Sequence, residues 1–204
     1  MGIIIIKIIG YLLTIMAARD AYKMFRKDNS LLKLYVKRGW DWVWGFLLVI
    51  SVFLSVGLII SLNPPSWLKF SWISFLCGDQ SRNLLTSPMT SGYIPVVLVF
   101  WVIMVFSLPY LAKIEEVIFR GGAIDIGSRV KKSIIFGMIH MVMGIPLFVA
   151  MLLCITGFIF SIKYCKVYRI LGSEEALLAS TSLHMKYNFI LITIGCLVTI
   201  ITLI

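Results

Sequence analysis

Apolar runs divide this chain at fairly regular intervals, and the polar stretches between them are short and mostly basic. "GFLLVISVFLSVGLIISL" (45–62) and "IPVVLVFWVIMVFSLPYLA" (94–112) are each about long enough to cross a ~30 Å hydrocarbon layer as a helix, at ~20 residues per crossing. The opening run, "GIIIIKIIGYLLTIMAA", is shorter and interrupted by Lys7. Its basic cluster follows the apolar residues instead of preceding them, so it reads as an uncleaved anchor (1–18) with its N-terminus outside. The basic and aromatic segment that follows (19–41) predicts a stretch lying at the membrane surface, with Trp40, Trp42 and Trp44 in the headgroup belt.

The second span, about 42–62, stops at the Pro pair of "NPPSW". Residues 63–92 form the longest non-apolar connection, on the outer face. The third span starts near Tyr93, runs inward and ends at Gly121-Gly122. "GSRVKK" reads as the next inner loop, and a fourth span starts at Ser133 and breaks at "GIP" (144–146). A fifth, about 147–162, returns to "KYCKVYR", and the last starts after "LGSEE" and continues to Ile204. The pattern predicts an all-α, polytopic membrane helical bundle of about six transmembrane helices, a single membrane domain over 1–204 with both termini outside.

Composition agrees with the pattern. The 204 residues are 60% hydrophobic and only 14% charged, more apolar side chain than a soluble domain of this size can hide. A net charge of +10 would suggest nucleic acid in a soluble protein, but its distribution excludes that. Of 19 Lys and Arg, seven lie in 19–38, five in 113–132 and three in 163–169. Apolar material separates the clusters so that all fall on one face, as the positive-inside rule requires. The partner of that charge is the lipid bilayer and its anionic headgroups, with no nucleic acid. Cys77, Cys154, Cys165 and Cys196 show no metal-type spacing and read as small hydrophobes.

Ionisable groups inside a bilayer cost at least ~2.5–3.5 kcal/mol each at a helix centre, so those that cannot reach an interface mark candidate chemistry. They are Glu115, Glu116 and Arg120 in the third span, His140 in the fourth, and His184 with Asn188 in the sixth. At 1.5 Å per residue Glu115 lies roughly 9–10 Å from the inner end of its helix, His140 roughly 10–12 Å in from Ser133, and His184 roughly 15 Å in from Glu174. Three helices thus present polar groups at one level of the inner half of the bilayer. Within helices, Glu116 and Arg120 are i,i+4, as are Phe136 with His140 and His184 with Asn188. The expected division is that Glu116 and Arg120 neutralise each other while Glu115 faces the histidines.

"EEVIFRG", "FGMIH" and "HMKYN" match, in order and spacing, the EExxxR, FxxxH and HxxxN motifs of the CPBP family. These are the CAAX proteases and bacteriocin-processing enzymes, intramembrane glutamic endopeptidases that include the Ras-converting endopeptidase. "GSEEALLASTSLH" also resembles the approach to the family's last motif, and the similarity covers about 110–192. The resemblance implies a catalytic core over 93–204, in which Glu115 and His140 activate a water. His184 and Asn188 would stabilise the oxyanion, with Glu116, Arg120 and Phe136 in support. It implies peptide-bond hydrolysis in a membrane-associated or lipidated peptide or protein substrate, in a multi-pass protein of a bacterial plasma membrane, with the active site toward the cytoplasmic side.

Blander readings stand beside these. A membrane histidine is often hydrogen-bonded to a neighbouring carbonyl, Asn188 can join two helices, and Phe136 suits packing better than chemistry. Lys186 can snorkel or touch a substrate carboxylate. "SEE" (173–175) lacks the motif's Arg and belongs at a helix start, where the macrodipole favours acids. No cofactor motif appears, and a divalent metal held by the same Glu and His side chains stays open. Two other functions compete: a non-catalytic membrane partner, such as a bacteriocin-immunity or assembly factor with the same fold, and a proton-coupled transporter, for which the repeat symmetry of transporters is missing.

Overall fold

A computed structural model describes residues 29–71 and 94–204, with isolated positions between 12 and 26. Among them there are helices and no strands. A 3-10 helix (Asn29–Tyr35) precedes α1 (Trp40–Ser61), α2 (Ile94–Arg120) and α3 (Ile126–Ile139), and a 3-10 turn (His140–Met143) leads into α4 (Leu147–Leu203). Three of these helices, α1, α2 and α4, are long and apolar enough to cross a membrane. Most of the anchor expected over 1–18, with Lys7, and Cys77 lie outside the described residues.

A straight helix of α4's 57 residues would be about 85 Å long. It is folded in two at Gly172, whose φ of 81° and ψ of −176° lie outside helical space. Contacts run antiparallel about that point. Tyr164 and Cys165 pack on Ala176, and Phe160 meets His184 and Tyr187. Glycine alone takes such a conformation without a Cβ clash. The arms are residues 147–171 and 173–203. "KYCKVYR", expected as a loop, is therefore helical, because nothing between Gly157 and Gly172 breaks a helix and Lys and Arg are good helix formers.

The start of α3 also differs from expectation. The helix begins at Ile126 rather than Ser133, so "GSRVKK" lies inside it. Asp125 is the reason: its side chain accepts a hydrogen bond from the Ser128 N–H at 2.8 Å and caps the first turn. Bonds from the Ser128 side chain and backbone hold the Asp125 carboxyl below its usual range. The cap thus contributes at neutral pH and is lost as pH falls through that lowered value. At its other end α3 stops at Ile139, and Gly144 closes the 3-10 turn. The Ser71 hydroxyl donates to the Gly144 carbonyl at 2.5 Å, while the N–H groups of Leu147 and Phe148 bond to the carbonyls of Phe70 and Leu68.

The second arm of α4 is the centre of the bundle, with residues 179–187 buried on every side. Around it, α1 buries the stripe Asp41, Gly45, Leu48 and Val49, and α3 buries Ser133, Phe136 and Gly137, both at helical spacing. Their outward faces are apolar and exposed, as lipid requires: Leu54 and Leu58 on α1, Val99 and Ile103 on α2.

The described part of the expected surface segment is packed into this bundle. Leu31 and Leu34 cluster with Leu108, Tyr110, Ala112 and Met185. Trp40 and Trp44 are exposed, but Trp42 is half-buried against Phe189 and donates to the Tyr35 carbonyl at 3.0 Å. Lys186 neither snorkels nor faces a substrate. It is 0% exposed, and its Nζ donates to the carbonyls of Lys37 at 2.6 Å and Arg38 at 2.9 Å. Beside it, buried Asp41 pairs with Lys163.

Two changes test these joints. Lys186→Met strands two carbonyls and should cost about 1–3 kcal/mol, and Gly172→Ala forces a Cβ into a positive-φ, extended conformation that is essentially restricted to glycine, for about 1–3 kcal/mol. Thermal unfolding in detergent should show both as lowered midpoints.

Candidate active site

The last two turns of α2 carry the three charges of "EEVIFR". Arg120 Nε lies 3.5 Å from Glu116 Oε2, and both side chains are 0% exposed. The guanidinium is enclosed by phenyl rings, its central carbon 4.6 Å from the Phe136 ring centre, 5.8 Å from Phe160 and 6.0 Å from Phe119. Each such contact contributes about 0.5–2 kcal/mol where water is excluded. Gly157 makes the enclosure possible, since a Cβ there would meet the Phe136 ring at 2.6 Å and Arg120 Nη2 at 3.3 Å.

His184 reaches this pair from the second arm of α4. Its Nδ1 lies 2.9 Å from Glu116 Oε1, and a carboxylate can only accept, so Nδ1 carries a proton. Nε2 then points toward Glu115, 3.7 Å from Oε2. Phe160 stacks on the imidazole at 4.7 Å and 26°, and Phe136 meets it edge-on at 5.5 Å and 82°. The expected division between the acids is thereby altered. Glu116 serves both Arg120 and His184, and Glu115 is the accessible one, with a third of its side chain exposed.

His140 is placed differently from expectation. Because α3 starts at Ile126, fourteen residues put His140 roughly 21 Å from the capped end, at the outer limit of the helix. Its Nδ1 donates to the Phe136 carbonyl at 2.6 Å, which leaves Nε2 as the available nitrogen. No hydrogen bond or ion pair joins His140 to Glu115 or His184, so Glu115 faces one histidine and not both. The link is the Phe136 ring, which lies edge-on to His140 at 4.8 Å and to His184 at 5.5 Å. Asn188, half-buried, follows one turn after His184 on the same face.

The structure thus gathers Glu115, Glu116, Arg120, Phe136 and His184 and attaches His140 through Phe136. It adds Phe160 and Gly157, which sequence reasoning missed because an aromatic ring and a glycine in an apolar helix carry no polar mark. Among the described residues, no three His, Cys, Asp or Glu side chains are grouped as a metal ion would need. No protein-family model, curated protein or solved structure matches this chain.

Removing one partner of a buried ion pair leaves an uncompensated charge, at about 3–5 kcal/mol. Arg120→Met should therefore lower the unfolding midpoint sharply or prevent accumulation in the membrane. Adding Glu116→Gln should recover much of the loss, which immunoblotting of membranes and thermal unfolding would detect.

Proposed function

We propose that the chain is an intramembrane endopeptidase of the CPBP type, crossing the membrane six times with its site toward the cytoplasmic side. It hydrolyses a peptide bond in a membrane-associated or lipidated peptide or protein. The six crossings comprise the N-terminal anchor, α1, α2, α3 with its 3-10 turn, and the two arms of α4. The observation that carries this reading is the approach of Glu115 and Glu116 to the two nitrogens of His184, at 3.7 and 2.9 Å, inside a protein whose outer surface is hydrocarbon-like.

Glu115 is the general base. It is accessible, lies next to the His184 Nε2, and takes a proton from a water that His140 Nε2 helps to orient. Attack on the scissile carbonyl generates an oxyanion. His184, held at Nδ1 by Glu116, offers its Nε2–H as a hydrogen-bond donor to that oxygen and keeps the proton, and the Asn188 amide is the second donor. As the oxyanion collapses and the C–N bond breaks, Glu115 returns the proton to the leaving nitrogen, so the products are a carboxylic acid and an amine, which at neutral pH become a carboxylate and an ammonium, with no covalent enzyme intermediate. Glu116 and Arg120 touch no reacting atom and act as positioning residues for His184.

The complete burial of Glu116, Arg120 and His184 favours a second reading, in which the cluster only holds the bundle together and the protein acts by binding a membrane partner. Glu115→Gln separates the two. The change is nearly isosteric and leaves the Glu116–His184–Arg120 contacts intact, so the fold should persist. The N- and C-termini of membrane proteins in the native host should then differ between wild type and Glu115→Gln at equal expression, with at least one terminus disappearing. Identical termini with the cellular phenotype retained would refute hydrolysis and support binding.

A further inference from the structure

Pro109 lies inside α2. Proline has no N–H, so the carbonyl of Val105, one turn before it, is left without its partner in the helix. The donor comes from elsewhere: the Tyr35 hydroxyl donates to the Val105 carbonyl at 2.5 Å. Tyr35 is itself held by two neighbours. Its ring stacks on Trp42 at 6.3 Å and meets Phe189, on the second arm of α4, edge-on at 5.7 Å. Its carbonyl accepts from Trp42 Nε1. A side chain from the segment before α1 thus replaces the one backbone donor that proline takes from α2.

The two parts of α2 on either side of this point are held differently. Every buried residue of the helix lies from Ser107 onward, and none of residues 94–106 is buried. That first part is about 20 Å long as a helix. Polar contacts tie it at Val105 and at Trp101, whose Nε1 donates to Thr193 Oγ1 at 3.0 Å. Nearer Ile94 it stands off from α4. A cleft of about 470 Å³ separates Val97 and Phe100 from Ile192, Gly195 and Thr199. A Cβ added at Gly195 would meet nothing within 4 Å. The missing backbone bond therefore falls at the boundary between a packed part of α2 and a loosely held one, where a helix bends most readily.

We propose that residues 94–106 form a hinged segment, with Pro109 as the hinge and the Tyr35 hydroxyl as its latch. With the hydrogen bond made, the segment holds the position described here. With it broken, the Val105 carbonyl is free and the turn before Pro109 loosens. The segment then moves toward and away from the second arm of α4, and the cleft takes up the movement. Residues 107–120, which carry Glu115, Glu116 and Arg120, stay packed. Proline alone would give a helix that bends, whereas a phenol aimed at the one orphaned carbonyl lets the bend be held or released. The inference rests on the packing of α2 and is independent of hydrolysis.

The test uses the full chain in phosphatidylcholine vesicles, with its cysteines replaced by alanine and nitroxide labels at Val99 and Val198, both exposed. Labels at Val117 and Val198 give a control pair on the packed part of α2, where Val117 is also exposed. Pulsed electron spin resonance gives the distribution of distances for each pair. With Tyr35 and Pro109 in place, the Val99 pair should show one main distance and a minor displaced population. Tyr35→Phe should enlarge that population roughly three- to fivefold, the weight of one hydrogen bond, and leave the Val117 pair unchanged. Pro109→Ala should remove it, because the restored N–H takes the Val105 carbonyl. In the Pro109→Ala background, Tyr35→Phe should then have no effect, a rescue that a merely structural role for the Tyr35 ring would not give. Pro109→Ala breaks no contact, so its comparison with the native sequence stands even where Tyr35→Phe fails to accumulate. A Val99 distribution that either single substitution leaves unchanged would overturn the proposal, as would equal broadening of the Val117 pair.

Discussion

The packing of α2 against α4 is arranged around one carboxylate shut away from the surface. Glu116 is fully buried, and a buried charge persists only where donors are brought to it. It has two partners: the charge of Arg120 one turn along its own helix, 3.5 Å away, and the hydrogen bond from His184 on the second arm of α4. The first fixes little beyond α2. The second fixes the rotation and height of the central helix relative to α2, because only one face of that helix can carry His184 to a 2.9 Å contact. The phenyl groups of Phe119, Phe136 and Phe160 then fill the space that the ion pair would otherwise leave to water.

The central arm is also held from the opposite side. Lys186 is two residues on from His184, about 200° around the helix, and its ammonium replaces water for two backbone carbonyls before α1. Asp41 with Lys163, and Trp42 with Tyr35, add to that fastening. The segment before α1 and the first turn of that helix therefore contribute to the placement of the candidate site residues. They do so through polar contacts, which in lipid can hold helices together where hydrophobic burial cannot.

Much of this was legible in the sequence, for identifiable reasons. The ends of α1 and α2 follow hydropathy, Pro64-Pro65 and Gly121-Gly122, and the observed limits lie close to expectation. The gathering of "EEVIFR" and His184 followed from depth and i,i+4 spacing. What failed was punctuation. Basic residues in "GSRVKK" and "KYCKVYR" imitate loop signals, although Lys and Arg are good helix formers and both segments are helical. Asp125, a capping residue at the true start of α3, was the overlooked mark. That error placed His140 mid-helix when it lies at the helix end. Asp41 was legible in principle, as a lone acid at the start of an apolar span that had to have a cation, but its partner lies 122 residues away. Phe160 and Gly157 offered nothing to read.

The two halves of the candidate site are anchored at opposite ends of the bundle. The His140 end of α3 runs into a turn whose Gly144 carbonyl is held by Ser71 and whose continuation is bonded to Phe70 and Leu68, beyond the outer end of α1. The Glu116 and His184 end lies instead toward the Gly172 hairpin, which Arg38 fastens through Glu175. Any change in the spacing of these two ends would therefore reach the site through one ring, Phe136, which lies between His140 and His184.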